Sequence, residues 1–342
     1  MAWYLEEGPV SDVVISTRVR LARNLAHTPF PWRLKPDEQD YVKDKVIAAF
    51  RAICQKSGEK AIVVELADLG KVETLALAER RIISRSMLGN TKGKALLLFP
   101  GEASGILVNE EDHLRLYTVS AGLLLDETAR QVSQCASSLE SSLSFAKNDR
   151  LGYLTACPTN TGTGMRASVM LHLPGLIRSN IIGPLAEKLA KAGYVLRGAE
   201  GEGTEAKADM IQLSNQVTLG VTTDQILADL DRLVIDLAQE ERKARRALHA
   251  RDPAALEDEI SRATGLLTKA RLMSSEEAMR LLSLVRLGRE LGLEGMPDYG
   301  LIQLLLTETG EGAIQQGAGM PMDERERDRA RAAYIRQTLK EY

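Results

Sequence analysis

A chain of 342 residues is long enough for one large domain with an appendage, or for two domains. Hydrophobic residues at 44% and charged residues at 27% suit a globular protein with a substantial core, which aromatics at 4% leave mainly to Leu, Ile, Val, Ala and Met. The net charge of −3 argues against bulk electrostatic binding to nucleic acid.

Cys54, Cys135 and Cys157 are too few and too scattered for a disulfide framework, and no Cys or His spacing resembles a metal site. The amino terminus lacks a basic stretch followed by an apolar one, and no run of about 18 apolar residues offers a membrane span. The expectation is a soluble cytoplasmic protein of a reducing compartment.

Along the chain, 13–16 read as a strand entering an arginine-rich segment, and 36–90 show helix-like patterns. Ala95–Phe99 and Ile106–Val108, separated by Pro100-Gly101, predict a hairpin, and 122–147 predict a helix. Met165–Leu173 reads as a strand that Pro174 ends, opening a helix to about Ala192-Gly193. Tyr194–Leu196 and Met210–Leu213 read as strands joined by a Gly- and Glu-rich loop. Hairpin partners with helices between groups favour an α+β fold, an antiparallel sheet flanked by helices. From Thr223, a predicted cap, apolar residues recur at helical spacing, Ser274 with Glu277 predicts a capping box, and Asp323–Tyr342 is helical in pattern. The chain therefore divides into 1–222 and a C-terminal helical domain, 223–342.

Four segments carry chemistry. Arg18 and Arg20 follow a strand and share a face if the chain stays extended. Arg166 follows Cys157–Gly164, rich in glycine and small hydroxyls, which could bring backbone N–H groups close to a ligand but lacks the phosphate-loop ending Gly-Lys-Ser/Thr. Asn109-Glu110-Glu111-Asp112-His113 clusters carboxylates after a predicted strand, and Arg197–Glu205 sets three glutamates among three glycines.

Together these segments resemble the phosphagen (guanidino) kinase family. Ser16-Thr17-Arg18-Val19-Arg20 matches its first arginine motif, Asn109–Arg115 its Asn-Glu-Glu-Asp-His-x-Arg, Cys157–Val169 its cysteine-to-arginine loop, and Arg197–Glu202 its Arg-Gly-x-x-Gly-Glu. The likeness covers roughly residues 10–220. It is closest to the protein arginine kinase branch of bacteria. The chain begins near the first arginine motif, without the helical domain that precedes it in small-molecule guanidino kinases. Arg327-Asp328-Arg329-Ala330-Arg331-Ala332 also matches that branch's Arg-Asp-x-x-Arg-Ala signature.

The resemblance implies transfer of the γ-phosphoryl group of ATP, with Mg²⁺, to arginine guanidinium groups of proteins. Arg18, Arg20, Arg115, Arg166 and Arg197 would clamp the phosphates, with Ser16, Thr17, Val19, Ala167, Ser168, Val169, Met170, Gly198 and Gly201 around the nucleotide. Arg81 would stand where a histidine approaches the base elsewhere in the family. Glu111 would be the catalytic base, Glu202 a second carboxylate on the guanidinium, and Cys157 an orienting residue. Arg327, Asp328, Arg331 and Ala332 would form an allosteric phosphoarginine site. Implied partners are an activating zinc-binding protein, a heat-shock repressor, a Clp-type chaperone–protease and a second copy in a homodimer. Two alternatives stay open: a free-arginine or other small-guanidine kinase, and a phosphoarginine-binding adaptor of little activity.

Overall fold

The computed structural model describes residues 3–198 and 207–340. Strand β1 (Val14–Arg23) precedes α1 (Pro36–Ser57), β2 (Ile62–Glu65) and α2 (Lys71–Glu79), then β3 (Ala95–Leu98), β4 (Ser104–Val108) and β5 (Leu114–Ala121). Next come α3 (Leu125–Glu140), a ribbon of β6 (Lys147–Asn148) and β7 (Gly152–Tyr153), β8 (Met165–His172), α4 (Pro174–Arg178), α5 (Ile182–Lys191), β9 (Tyr194–Gly198) and β10 (Met210–Asn215). The remainder is helical: α6 (Thr223–Arg251), α7 (Pro253–Lys269), α8 (Ser275–Glu290), α9 (Tyr299–Glu308), α10 (Glu311–Ala318) and α11 (Glu324–Thr338).

Among the described residues, eight strands make one sheet in the order β2-β3-β4-β5-β1-β8-β10-β9. Every pairing is antiparallel, as the α+β reading expects. The predicted hairpin forms with Leu97 opposite Ile106, and the two late strands pair with Leu196 opposite Leu213.

Four local expectations are corrected. β1 runs on through the arginines to Arg23. β2 and β5 lay hidden, one inside a helix-like stretch and the other behind the acidic turn. The helix expected from Pro174 to about 192 breaks in two where Asn180 adopts a positive φ of 56°. Thr222, not Thr223, caps α6, its Oγ1 accepting from Gln225 N at 3.2 Å while Gln225 Oε1 accepts from Thr222 N at 2.9 Å.

Strand alternation gives the sheet two unlike faces. Val19 and Leu21 of β1, Leu114 and Leu116 of β5, and Ala167, Val169 and Leu171 of β8 are buried in the main core with residues of α1, α3, α5 and α6. α6 thus joins the sheet's own core, through Ile226, Leu230, Val234 and Leu237. A separate core unites α7, α8, α9 and α11 around Leu267, Leu281, Val285, Ile302 and Ile335.

A buried ionic network joins these bodies. Glu290 of α8 is fully buried; its Oε1 lies 2.7 Å from His172 Nδ1 of β8 and 3.1 Å from Arg286 Nε. Its Oε2 lies 2.7 Å from Arg245 Nη1 of α6. Ser283 of α8 donates to Asp209 Oδ2 at 2.5 Å and is hydrogen-bonded to His172 Nε2 at 2.9 Å. Removing the shared carboxylate strands its buried partners, so Glu290→Ala is expected to cost about 3–5 kcal/mol. Glu257→Ala, which breaks a solvent-exposed pair with His249, should cost under about 1 kcal/mol. Denaturant midpoints of the two variants check this, and equal losses would contradict it.

Candidate active site

The arginines converge on the open face of the sheet. In β1, β-branched Val14, Ile15, Thr17 and Val19 favour an extended chain, and alternation brings Arg18 and Arg20 to one side. Arg20 stands opposite Arg166 of β8 and Tyr117 of β5, and Arg18 opposite Ser168. Arg115 lies two residues before Tyr117 on that side, and Arg197 of β9 pairs with Gln212. Arg18, Arg20, Arg115 and Arg197 line a cavity of about 600 Å³ with Ser16, Met170 and Gly198. Arg166 stands at its edge, its Nη2 3.4 Å from Ser214 Oγ.

The cluster is electrostatically costly. Burial lowers the Arg18 guanidinium to about 10, with Tyr117 opposing the shift and Arg81 and Arg115 adding to it. Burial and then Arg115, Arg18 and Arg166 push Arg20 well below its ordinary value, with Glu110 opposing. Arg166 is lowered by burial and then by Arg197 and Arg115. Guanidinium keeps its proton under such pressure, so the face remains a dense positive patch suited to polyanion oxygens. Arg81 also lines the cavity and accepts Arg18 Nη1 on its carbonyl at 2.5 Å, in a backbone with φ of 58°.

The acidic turn between β4 and β5 resolves into distinct roles. Asn109 donates to Gln39 O at 2.9 Å and Gly93 O at 2.8 Å. Asp112 accepts from Asn24 Nδ2 at 2.6 Å and Ala156 N at 2.7 Å, and His113 Nδ1 accepts from Leu25 N at 3.1 Å. These buried groups fasten the turn to β1 and to the cysteine segment. Glu110 bonds Arg115 and Ser84, and burial, which raises its carboxyl, is outweighed by Arg115 and then Ser84 and Arg20, so its pKa falls. Glu111 is left exposed beside Cys157, Arg115 and Arg166. Partial burial and then Asp112 raise its pKa, opposite to the shift of Glu110.

The segment after Cys157 is held from beneath. Thr218 Oγ1 donates to Thr159 O and Thr161 O at 2.8 Å each, and Thr155 Oγ1 to Cys157 O at 2.7 Å. Gly162 has φ of 115°, and a Cβ there would meet Thr218 O at 2.2 Å, so the crossing admits only glycine. Cys157 Sγ lies 2.9 Å from Thr159 Oγ1.

Other expected site residues lie elsewhere. Thr17 donates to Gly122 O at 2.7 Å, and Val19, Ala167 and Val169 are packed in the core, so these four face away from the cavity. Ser168 donates to Arg18 O at 3.3 Å. Gly201 and Glu202 lie outside the described residues. In α11, Arg331 is buried, donating through Nε to Thr309 O at 2.7 Å and through Nη1 to Met273 O at 2.8 Å and Asp328 Oδ1 at 2.7 Å. Ala332 is in the helical core, and Arg327 Nη2 is 3.3 Å from Glu311. Tyr117, with Arg18 Cζ 5.6 Å from its ring centroid, and the counter-charge Glu110 are contributors that sequence reading did not single out. Among the described residues, no group of three or more His, Cys, Asp or Glu side chains is placed to hold a metal.

His113 offers a pH test of the turn. Burial lowers its pKa from 6.5 to about 4, so the folded chain resists protonating it. Stability from this site is complete above pH 6.5 and is lost as pH falls through 4, by about 3 kcal/mol in all. His113→Asn, which retains an acceptor for Leu25 N, should unfold at a lower temperature at pH 7 yet show a flatter melting profile between pH 6.5 and 4.

Comparison with known proteins shows the family. Residues 41–244 match the family described as ATP:guanido phosphotransferase, C-terminal catalytic domain, and residues 253–342 that described as Protein-arginine kinase McsB C-terminal domain. A protein-arginine kinase of Symbiobacterium thermophilum is 42% identical over 98% of this chain and 96% of its own length. That of Moorella thermoacetica is 42% identical, over 98% and 97%. In fold, the duplicated taurocyamine kinase of Schistosoma mansoni superposes with a TM-score of 0.58 at 29% identity, over 67% of this chain and 33% of that longer one. A lombricine kinase gives 0.60 at 23%, over 70% and 68%, a likeness of fold. The chain belongs to the ATP:guanido phosphotransferase family, among its protein-arginine kinases.

Proposed function

We propose that the clustered arginines and Glu111 carry out the reaction that family membership gives the chain, transfer of the γ-phosphoryl group of ATP to arginine side chains of proteins. The observation that carries this assignment is the convergence of Arg18, Arg20, Arg115, Arg166 and Arg197 on one face, with Glu111 exposed beside Arg166. The guanidinium forks would take the phosphate oxygens of ATP and neutralise charge moving onto the β–γ bridging oxygen. Mg²⁺ would enter with the nucleotide, held by phosphate oxygens and water, since the carboxylate nearest the arginines, Glu110, is already paired.

The acceptor arginine presents a protonated guanidinium, which is a poor nucleophile. Glu111 would hold it and take its proton as the nitrogen–phosphorus bond forms and the bond from the γ-phosphorus to the bridging oxygen breaks, releasing ADP. Its raised pKa strengthens it as a base. Cys157, beside Glu111, would orient it, and Glu202 would supply the second carboxylate.

Residues 1–222 would form the catalytic unit and 223–342 a regulatory and dimerising one, rooted in the sheet through α6. Arg327, Asp328, Arg331 and Ala332 would sense phosphoarginine, and Arg327 and Arg331 touch Glu311 and Thr309, which line the cavity. A cytoplasmic stress-response role, with an activator, a heat-shock repressor and a Clp-type chaperone–protease as partners, belongs to the same proposal. So does a homodimer, which a monomeric mass at micromolar concentration would contradict. Among the described residues no helix is long and apolar enough to cross a membrane.

With γ-labelled ATP and an unfolded arginine-containing protein, the label should be acid-labile, as a phosphorus–nitrogen bond requires. Glu111→Gln should lower kcat about 10²–10⁴-fold while the KM for ATP stays close to wild type. Full activity in Glu111→Gln would remove that residue from the mechanism.

A further inference from the structure

The cavity has two chemically different ends. Its cationic end is formed by the arginines, and its other end is apolar, where Ile15, Met170 and Met210 of the sheet region pack with Met279 of α8 and Leu306 of α9. Along β8, Arg166, Ser168 and Met170 share one face, which spans about 13 Å from first to last at the usual rise of a strand. A nucleoside triphosphate has the matching polarity, an anionic tail joined through a sugar to a flat apolar base.

We propose that the C-terminal helices complete the base end of the nucleotide site, with Met279 and Leu306 closing over a purine that lies against Met170, Ile15 and Met210. The inference rests on the reading of this cavity as the ATP site. Met279 and Leu306 come from helices that lie C-terminal to the phosphotransferase catalytic region, residues 41–244. Methionine suits the role, because its flexible, polarisable thioether packs well on an aromatic face. On the same wall, Gln303 Oε1 is buried and makes no hydrogen bond, an acceptor that an exocyclic amino group would satisfy.

The helices are held in register with the arginine end. Glu79 of α2 accepts from Gly312 N at 3.0 Å and Ala313 N at 3.1 Å, fixing the start of α10 beside the cavity. Binding of ATP would therefore draw the sheet and the C-terminal helices together, and whatever moves the helices changes the fit of the base.

The test uses the full chain, with ATP as substrate and inorganic triphosphate as an inhibitor that lacks a base. Met279→Ala and Leu306→Ala should each raise the KM for ATP about tenfold, well beyond any change in kcat, and leave the inhibition constant of triphosphate as in wild type. Met279→Leu should recover most of the lost affinity. If ATP and triphosphate weaken together, the helices only support the arginines and the proposal is overturned. If neither weakens, the base lies elsewhere and the proposal is again overturned, although triphosphate inhibition still marks the cavity as the ATP site. If triphosphate fails to inhibit the wild-type chain at all, the assignment of the cavity falls, and this proposal with it.

Discussion

Guanidinium groups crowded on one face of a sheet repel one another, and here the fold holds them in place. Arg18 and Arg20 come from β1, Arg115 from β5, Arg166 from β8 and, across β10, Arg197 from β9, so the antiparallel sheet sets their spacing. Glu110 offsets part of the charge through Arg115, and Glu111 faces Arg166 from the edge. The remainder is strain that the fold holds in this face, of a kind that a polyanion would relieve. Preorganised charge of this kind is suited to stabilising charge that develops in a transition state, because it needs no reorganisation at the moment of reaction.

The rest of the molecule serves that arrangement. The opposite sheet face is a continuous apolar core with α1, α3, α5 and α6, and it keeps the strands rigid. The acidic turn and the segment after Cys157 are tied down by buried Asn109, Asp112 and His113 and by Thr218, which leaves Glu111 as the exposed carboxylate. The network around Glu290 then fastens α8 to β8 and α6, so the C-terminal helices share the framework that positions the arginines.

Much of this was legible in the sequence, because strand alternation is a local rule. Arg18 and Arg20 could be placed on one side without a structure, and the four motifs named the family. Features that depend on distant contacts were not legible. β5 hides because Arg115 and Tyr117 alternate with apolar residues directly after an acidic turn that reads as solvated. Nothing local distinguishes Glu110 from Glu111; Ser84 and Arg115 make the distinction in three dimensions. Thr17, Val19, Ala167 and Val169 belong to the motifs but serve the core, since alternation turns every second residue away from the cavity. The wall formed by Met279 and Leu306 lies more than a hundred residues from Met170 in sequence, so no pattern reports it.

The central claim is that the arginine face is strained until an anion fills it, and the thermal unfolding of Arg20→Met tests it most directly. This exchange keeps the long apolar stem and removes one charge from the centre of the cluster. The account predicts that the variant melts at a higher temperature than wild type without ligand, and that Mg-ATP, which stabilises wild type, shifts the variant far less. A variant that melts lower without ligand, and is stabilised by Mg-ATP as strongly as wild type, would contradict it.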